Sequence, residues 1–393
     1  MTSNTSQLTL HWFLPTYGDS RGIMAGGLGT QNMHGEREAT MDYLTQVVEA
    51  AEHNGFESVL TPSGLWCEDA WLIASGLAAR TKRLKFLIAV RPGLVSPTMI
   101  GQQGQTFQKL FDNRLLINVV IGGEDYEQRA FGDHLSKKER YARGSEALTV
   151  TDHLWKNPEP ITFQGEYINI EGAQLKELPE VAPPVMISGS SPEGIECSAQ
   201  HGDVYLTWGE PPAPAGEKIA KVRDRATELG RELGYGLRVH IIARPTEEEA
   251  WCEAQRLVDA LDVDKVRAMQ ESLARSQSEG QRRMQELHGM GSDFRDGIDA
   301  RELEIYPNLW AGIGLVRSGT GTALVGSYEQ VAQRMKEYMD LGFDNFVLSG
   351  YPHLEETYQV GEGVVPELQK LGITVANHEH HGAAEGEDNN AAN

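Results

Sequence analysis

Eight short apolar runs recur along the chain, and most are followed by a stretch with helical spacing. The runs are "LTLHWFL", "SVLTPS", "LKFLIAVRP", "LLINVVIGG", "PVMISGSS", "VYLTWGE", "LRVHIIARP" and "NFVLSGYP". Between them lie amphipathic segments such as Met41–Asn54, Asp69–Arg80, Gly216–Leu233 and Tyr328–Leu341. Near-continuous apolar strands separated by helices predict a parallel sheet covered by helices. Eight such units in order predict an α/β fold of the (β/α)8 TIM-barrel type. A doubly wound open sheet is the alternative, because the count depends on where the runs are cut. At 393 residues the chain suits one enlarged barrel, here read as a single domain over 1–376.

Three segments exceed the bare repeat. Thr16–Ala39 is a glycine-rich loop after the first run, and Ile161–Ala173 alternates about a central "QG" like a hairpin. The longest, about 262–326, is an insertion whose "SGTGTALVG" has the small residues of a hinged lid. The tail 377–393 is polar and low in complexity, and is read as disordered. His378, His380 and His381 in it are read as solvated rather than metal-binding.

The formal net charge is -22, from 57 acidic and 35 basic residues. Such a surface repels nucleic acid and anionic membranes. Cys67, Cys197 and Cys252 are scattered, with no metal-ligand spacing, so neither a disulfide framework nor a metal centre is expected. No apolar run reaches the roughly 18 residues of a membrane span, and no secretory pattern opens the sequence. A soluble cytoplasmic protein is the expectation.

One strand breaks the apolar rule. Alternation places Arg238, His240 and Ile242 of "LRVHIIARP" on one face, opposite Val239, Ile241 and Ala243. A buried guanidinium is costly unless an anion meets it. That anion is either a ligand or the far side of an internal salt bridge in a polar barrel layer. Both residues precede the apparent strand end, so Arg238 is expected to sit deep.

Barrel chemistry collects at the carboxyl ends of the strands. Tyr17, Trp66, Cys67, Arg91, Asn118, Trp208, Tyr351 and His353 all fall there. "SGSSPEG" after the fifth run offers Gly189, Ser190 and Ser191 before a helix that opens at Pro192. It is either a phosphate cradle or a plain serine cap. Trp71 and Trp310 read as core fillers. Cys67, followed by Glu68 and Asp69, is a poor nucleophile. Glu124 and Asp125 could supply a glycosidase acid, but only Glu210 offers a partner carboxylate.

Taken together, "HWFLPT", "CEDAWLIAS", "RLKFLIAVRPG", "YLTWGEPP", "LRVHIIARPTEEEAW", "PNLWAGIGLVR", "GTALVG" and "SGYPHLEE" make the chain closely resemble the reduced-flavin-dependent alkanesulfonate monooxygenases of the bacterial luciferase superfamily, from about Leu10 to Leu368. The resemblance implies a barrel enzyme, dimeric or tetrameric, that takes reduced FMN (FMNH2) from a separate NAD(P)H-dependent flavin reductase. With O2 it would oxygenate a small sulfonate and release sulfite and an aldehyde. By position, Tyr141, Ser190 and Ser191 would hold the flavin phosphate, and Asn118 would lie near the ring. Arg238, His240 and Tyr351 match the family's active-site residues, with Trp208 beside them and Arg317 as a lid arginine. Tyr17, Trp66 and His353 would border the substrate.

The departures from that family lie at strand ends. Members acting on simple alkanesulfonates read "PTHGD", where this chain has Tyr17. They read "TGRSCEDAW", where it has Leu65 and Trp66, and Ile121 stands in for a threonine. The loop Gly18–Ala39 is longer. A Tyr and a Trp at the mouth resemble a platform for a sugar ring, so sulfoquinovose, with 6-oxo-glucose as product, is the favoured substrate. A simple alkanesulfonate is the alternative. A deazaflavin-type hydride transfer and a non-catalytic flavin or sulfonate binder are the remaining readings.

Overall fold

All eight apolar runs form strands in the computed structural model, which describes residues 7–24, 35–122, 124–276, 278–287, 289 and 294–378. The strands are Gln7–Phe13, Ser58–Thr61, Lys85–Val90, Leu115–Val119, Val185–Ser188, Val204–Trp208, Gly234–Arg244 and Asn345–Ser349. Each pairs in parallel with the next, and the eighth pairs with the first. The sheet is therefore a closed (β/α)8 barrel, and the open-sheet alternative is set aside.

The two faces of the strands do different work. Leu237, Val239, Ile241 and Ala243 point outward and pack beneath the helices. Leu60, Leu87, Leu116, Met186, Leu206 and Val347 meet inside and plug the barrel. Leu87 is fully buried, and truncating such a residue to Ala costs about 2–5 kcal/mol. Nearer the amino-terminal ends, the His11 ring bridges Ser58 Oγ at 2.7 Å and Asn345 Oδ1 at 2.9 Å. A polar layer inside the barrel is thus built by His11, whereas the alternative of an internal salt bridge for Arg238 finds no carboxylate partner among the described residues.

Helix starts follow local chemistry. Ser136 and Glu139 form a capping box on Lys137–Lys156, as Thr246 and Glu249 do on Glu247–Asp259. The helix expected over Gly216–Leu233 runs Pro212–Glu228. Proline at its first position needs no N–H partner and lets the helix begin earlier.

The expected hairpin forms from Ile161–Gln164 and Asn169–Ala173. The insertion between the seventh and eighth strands holds helices Val263–Leu273 and Glu279–Leu287, a small hairpin, and the strand Ala323–Ser327. That last strand corrects the reading of "SGTGTALVG" as lid throughout. Its apolar half pairs in parallel with the seventh strand, Ala323 against His240 through Ser327 against Arg244. Only the half before it borders the barrel mouth. Residues 25–34 of the glycine-rich loop and 379–393 of the tail, with His380 and His381, lie outside the described residues.

Candidate active site

A cavity of about 350 Å³ opens at the carboxyl ends of the strands. Arg238 lines it, and on one side it is as deep as expected, paired with Val347 of the barrel plug; the other side is open. The residue opposite is Trp208, the last of the sixth strand, while the seventh continues to Arg244. The sheet continues on the same side of that strand. The Arg238 carbonyl accepts from Gly209 N–H, and His240 N–H donates to the Thr322 carbonyl. The insertion strand therefore carries the wall upward past the end of the sixth strand, while on the eighth-strand side Arg238 stays level with Val347.

The Arg238 guanidinium donates to the carbonyls of Val239 at 3.1 Å and Val347 at 3.3 Å, and lies 4.9 Å from the Phe13 ring. No carboxylate among the described residues pairs with it. Burial, with Arg317 adding repulsion, pulls its pKa down to about 10, still cationic at neutral pH. Arg317 faces the same space. It donates to the Ile23 carbonyl and the Tyr17 hydroxyl, both at 3.2 Å, and lies between the Tyr17 and Tyr351 rings, at 5.4 and 5.2 Å. Two cations converging on one cavity favour an anion there.

His240 stacks on Tyr351 at 5.4 Å, and its Nδ1 meets Ser349 Oγ at 2.6 Å. Burial first, then Arg238 and Arg317, hold its pKa well below the usual imidazole range, so it is neutral. Burial likewise raises the Tyr351 hydroxyl, which stays protonated as a donor. Tyr17 and Trp66 meet at 5.4 Å and 52°, forming an aromatic corner of the mouth. Trp208 lines the opposite side, where a Cβ on Gly280 would come within 2.9 Å of its ring.

A second end of the cavity gathers Asn118, Tyr141, Gly189 and Ser190. A Cβ on Gly189 would sit 2.5 Å from Tyr141 Oη, so only glycine permits this close turn. Ser191 caps Pro192–His201, its side chain accepting from Gly194 N–H at 3.3 Å. The serine-cap reading thus holds for Ser191, which does not line the cavity, while Ser190 does. A helix amino terminus, a glycine-only turn and two hydroxyls fit an anionic phosphate. Lys137, one turn before Tyr141, also lines this end and was not singled out from sequence. The spacing of four from Tyr141 was the available signal.

His353 stands apart. It is 1% exposed and does not line the cavity; its Nδ1 meets Asp19 Oδ1 at 2.8 Å. It backs the aromatic wall, edge-on to Tyr351 at 5.2 Å and Tyr17 at 6.3 Å. The burial of Trp310 and the packing of Trp71 against the core match the sequence reading. Cys67 has its thiol pushed up to about 12, chiefly by burial rather than by Glu68 and Asp69. No glycosidase pair forms. Glu124 lines the cavity and accepts from Ser276, but Glu210 is buried against Lys218 and Arg283. Glu127 was also missed; it lines the cavity and binds Arg91 at 2.9 Å. The described residues hold no metal-ligand cluster, and none of their helices is long and apolar enough to cross a membrane.

A family model described as luciferase-like monooxygenase matches residues 21–345. Among solved structures, a riboflavin lyase with modified FMN and substrate riboflavin aligns with TM-score 0.74 and 19% identity, over 95% of this chain and 93% of that one. A long-chain alkane monooxygenase aligns with TM-score 0.70 and 19% identity, over 94% and 93%. An F420-dependent secondary alcohol dehydrogenase, in complex with an F420-acetone adduct, aligns with TM-score 0.62 and 17% identity, over 92% and 99%. At such identities the likenesses establish the fold alone.

Proposed function

The chain belongs to the luciferase-like monooxygenase family, and from that premise we propose that it is an FMNH2- and O2-dependent monooxygenase that cleaves the C–S bond of an organosulfonate. The observation that carries this reading is Arg238, a buried cation with no carboxylate partner among the described residues, facing the cavity beside Arg317. A sulfonate is a permanent anion with three acceptor oxygens and suits two guanidinium forks.

Gly189, Ser190, Tyr141 and Lys137 would hold the phosphate of reduced flavin, with Asn118 on the side of its ring, and the bound flavin would supply the two electrons that activate O2. One oxygen atom ends on the substrate carbon as an aldehyde and the other leaves as water. The C–S bond breaks and sulfite departs with its electron pair. Arg238 and Arg317 bind the sulfonate and stabilise the charge that grows on leaving sulfite. Tyr351 donates a hydrogen bond into the same space. Neutral His240, fixed by Ser349, adds no third positive charge and can accept a proton. The aromatic walls exclude water.

For the substrate we favour sulfoquinovose, with 6-oxo-glucose as product. The support is the Tyr17–Trp66 corner, on which an apolar sugar face can rest, and Glu124, which can accept from hydroxyls. The same reading calls for a separate NAD(P)H-dependent reductase as partner, a cytoplasmic setting, and a homodimer or homotetramer. Incubating the protein with a flavin reductase, FMN, NADH and oxygen tests it. Sulfite should form from sulfoquinovose faster than from short alkanesulfonates, and the reverse order would remove the sugar assignment.

A further inference from the structure

We propose that Ile23 is a positioning residue that sets the direction of Arg317 from outside the insertion that carries it. The inference rests on the proposed function only for the identity of the anion that Arg317 meets.

The segment Asp19–Met24 is tied down at several points. Its neck closes where Asp19 and Arg37 exchange backbone hydrogen bonds of 2.8 and 2.9 Å. Asp19 accepts from His353 N–H at 2.7 Å and bonds its ring at 2.8 Å. The Arg21 carbonyl accepts from Arg256 at 2.6 Å. Between these ties, the Ile23 side chain is 1% exposed and buried in an apolar cluster shared by the insertion and the helix Glu247–Asp259, with Trp310, Ile313, Leu315 and Val316.

Ile23 therefore acts on Arg317 in two ways. Its side chain packs in the cluster that holds Val316, the residue immediately before Arg317. Its carbonyl accepts from Arg317 Nη1 at 3.2 Å. The Tyr17 hydroxyl accepts from Nη2 at the same distance, so residues 17 and 23 each hold one nitrogen of the guanidinium. A guanidinium is a planar fork, and two fixed acceptors on its nitrogens define the orientation it presents.

The test compares Ile23→Ala, Ile23→Val and Tyr17→Phe with the wild type. Two quantities are read: KM against kcat for the sulfonate turned over, and hydrogen exchange of the segment 312–320. Ile23→Ala should raise KM about tenfold and lower kcat as well, since Arg317 also meets the charge on the leaving sulfite. Exchange of 312–320 should quicken while the fifth barrel strand stays protected. Ile23→Val should restore most of both, and Tyr17→Phe should raise KM in the same direction. Unchanged exchange of 312–320 in Ile23→Ala, or an unchanged KM with that exchange quickened, would overturn the assignment. If Ile23→Ala does not fold, the smaller cavity of Ile23→Val should still quicken exchange in that segment alone, and no change there would overturn the assignment. If the wild type releases sulfite from no sulfonate, the proposed function fails, and the exchange arm alone decides the role of Ile23.

Discussion

Arg238 lies directly opposite Trp208, where the sixth barrel strand ends and the seventh runs on to Arg244. That register puts a cation at the top of the sixth strand, over the plug residue Val347 of the eighth, and beside an aromatic ring that lines the same cavity. Replacing Arg238 with Ala should abolish turnover, while reduced-FMN affinity, measured by anaerobic titration, stays within about twofold of wild type. Loss of flavin binding instead would show that Arg238 serves the cofactor. A charge-assisted hydrogen bond is worth about 1.5–3 kcal/mol, so the substrate term alone predicts a loss of one to two orders of magnitude in affinity.

Arg238 also predicts a pH dependence. Burial lowers its pKa to about 10 in the free enzyme, and only the protonated form attracts an anion. Substrate affinity should hold at neutral pH and fall as pH rises through about 10. A bound sulfonate would pull the pKa back up, so binding near that pH should take up protons. Calorimetry in buffers of different ionisation heat measures that uptake, which Arg238→Gln should lack.

Gly189→Ala should lose reduced-FMN affinity without unfolding the barrel. The added Cβ would stand 2.5 Å from Tyr141 Oη, at a turn with φ +154°. The effect should be about tenfold or more in the flavin dissociation constant, equivalent to about 1.4 kcal/mol. Unchanged flavin affinity would place the phosphate elsewhere.

The helix Glu279–Leu287 is held over Trp208 by Arg283, whose guanidinium meets the Glu210 carboxylate that Lys218 also meets. Lys218→Met should destabilise the fold by about 3–5 kcal/mol, because it leaves a buried carboxylate short of its second cation. Arg283→Met should cost less in urea denaturation, since Arg283 is 33% exposed and Glu210 keeps Lys218. Equal costs would mean that the partly exposed cation matters as much as the buried one.

The barrel was legible because its strands are buried on both faces and read as unbroken apolar runs. Arg238 and His240 stood out for the complementary reason, as polar residues on an apolar strand. Their height in the barrel was not legible. It depends on where the sixth strand stops and on the Ala323–Ser327 strand, whose residues in sequence alone read as part of a hinged lid. Alternation would have put Phe13 on the inner face with His11, but only the folded chain brings it 4.9 Å beneath Arg238. Glu127 was hidden because its partner Arg91 is distant in sequence, and His353 was placed on the cavity because its strand-end position carries no sign of the Asp19 contact that buries it.

On the proposed function, Arg238 and Arg317 receive a sulfonate that the enzyme cleaves. Sulfite measured in a coupled assay with flavin reductase, FMN, NADH and oxygen tests it most directly. Sulfite should form in proportion to the sulfonate consumed, most rapidly from sulfoquinovose, with none when FMN or oxygen is left out. No sulfite from sulfoquinovose or from any alkanesulfonate would contradict it.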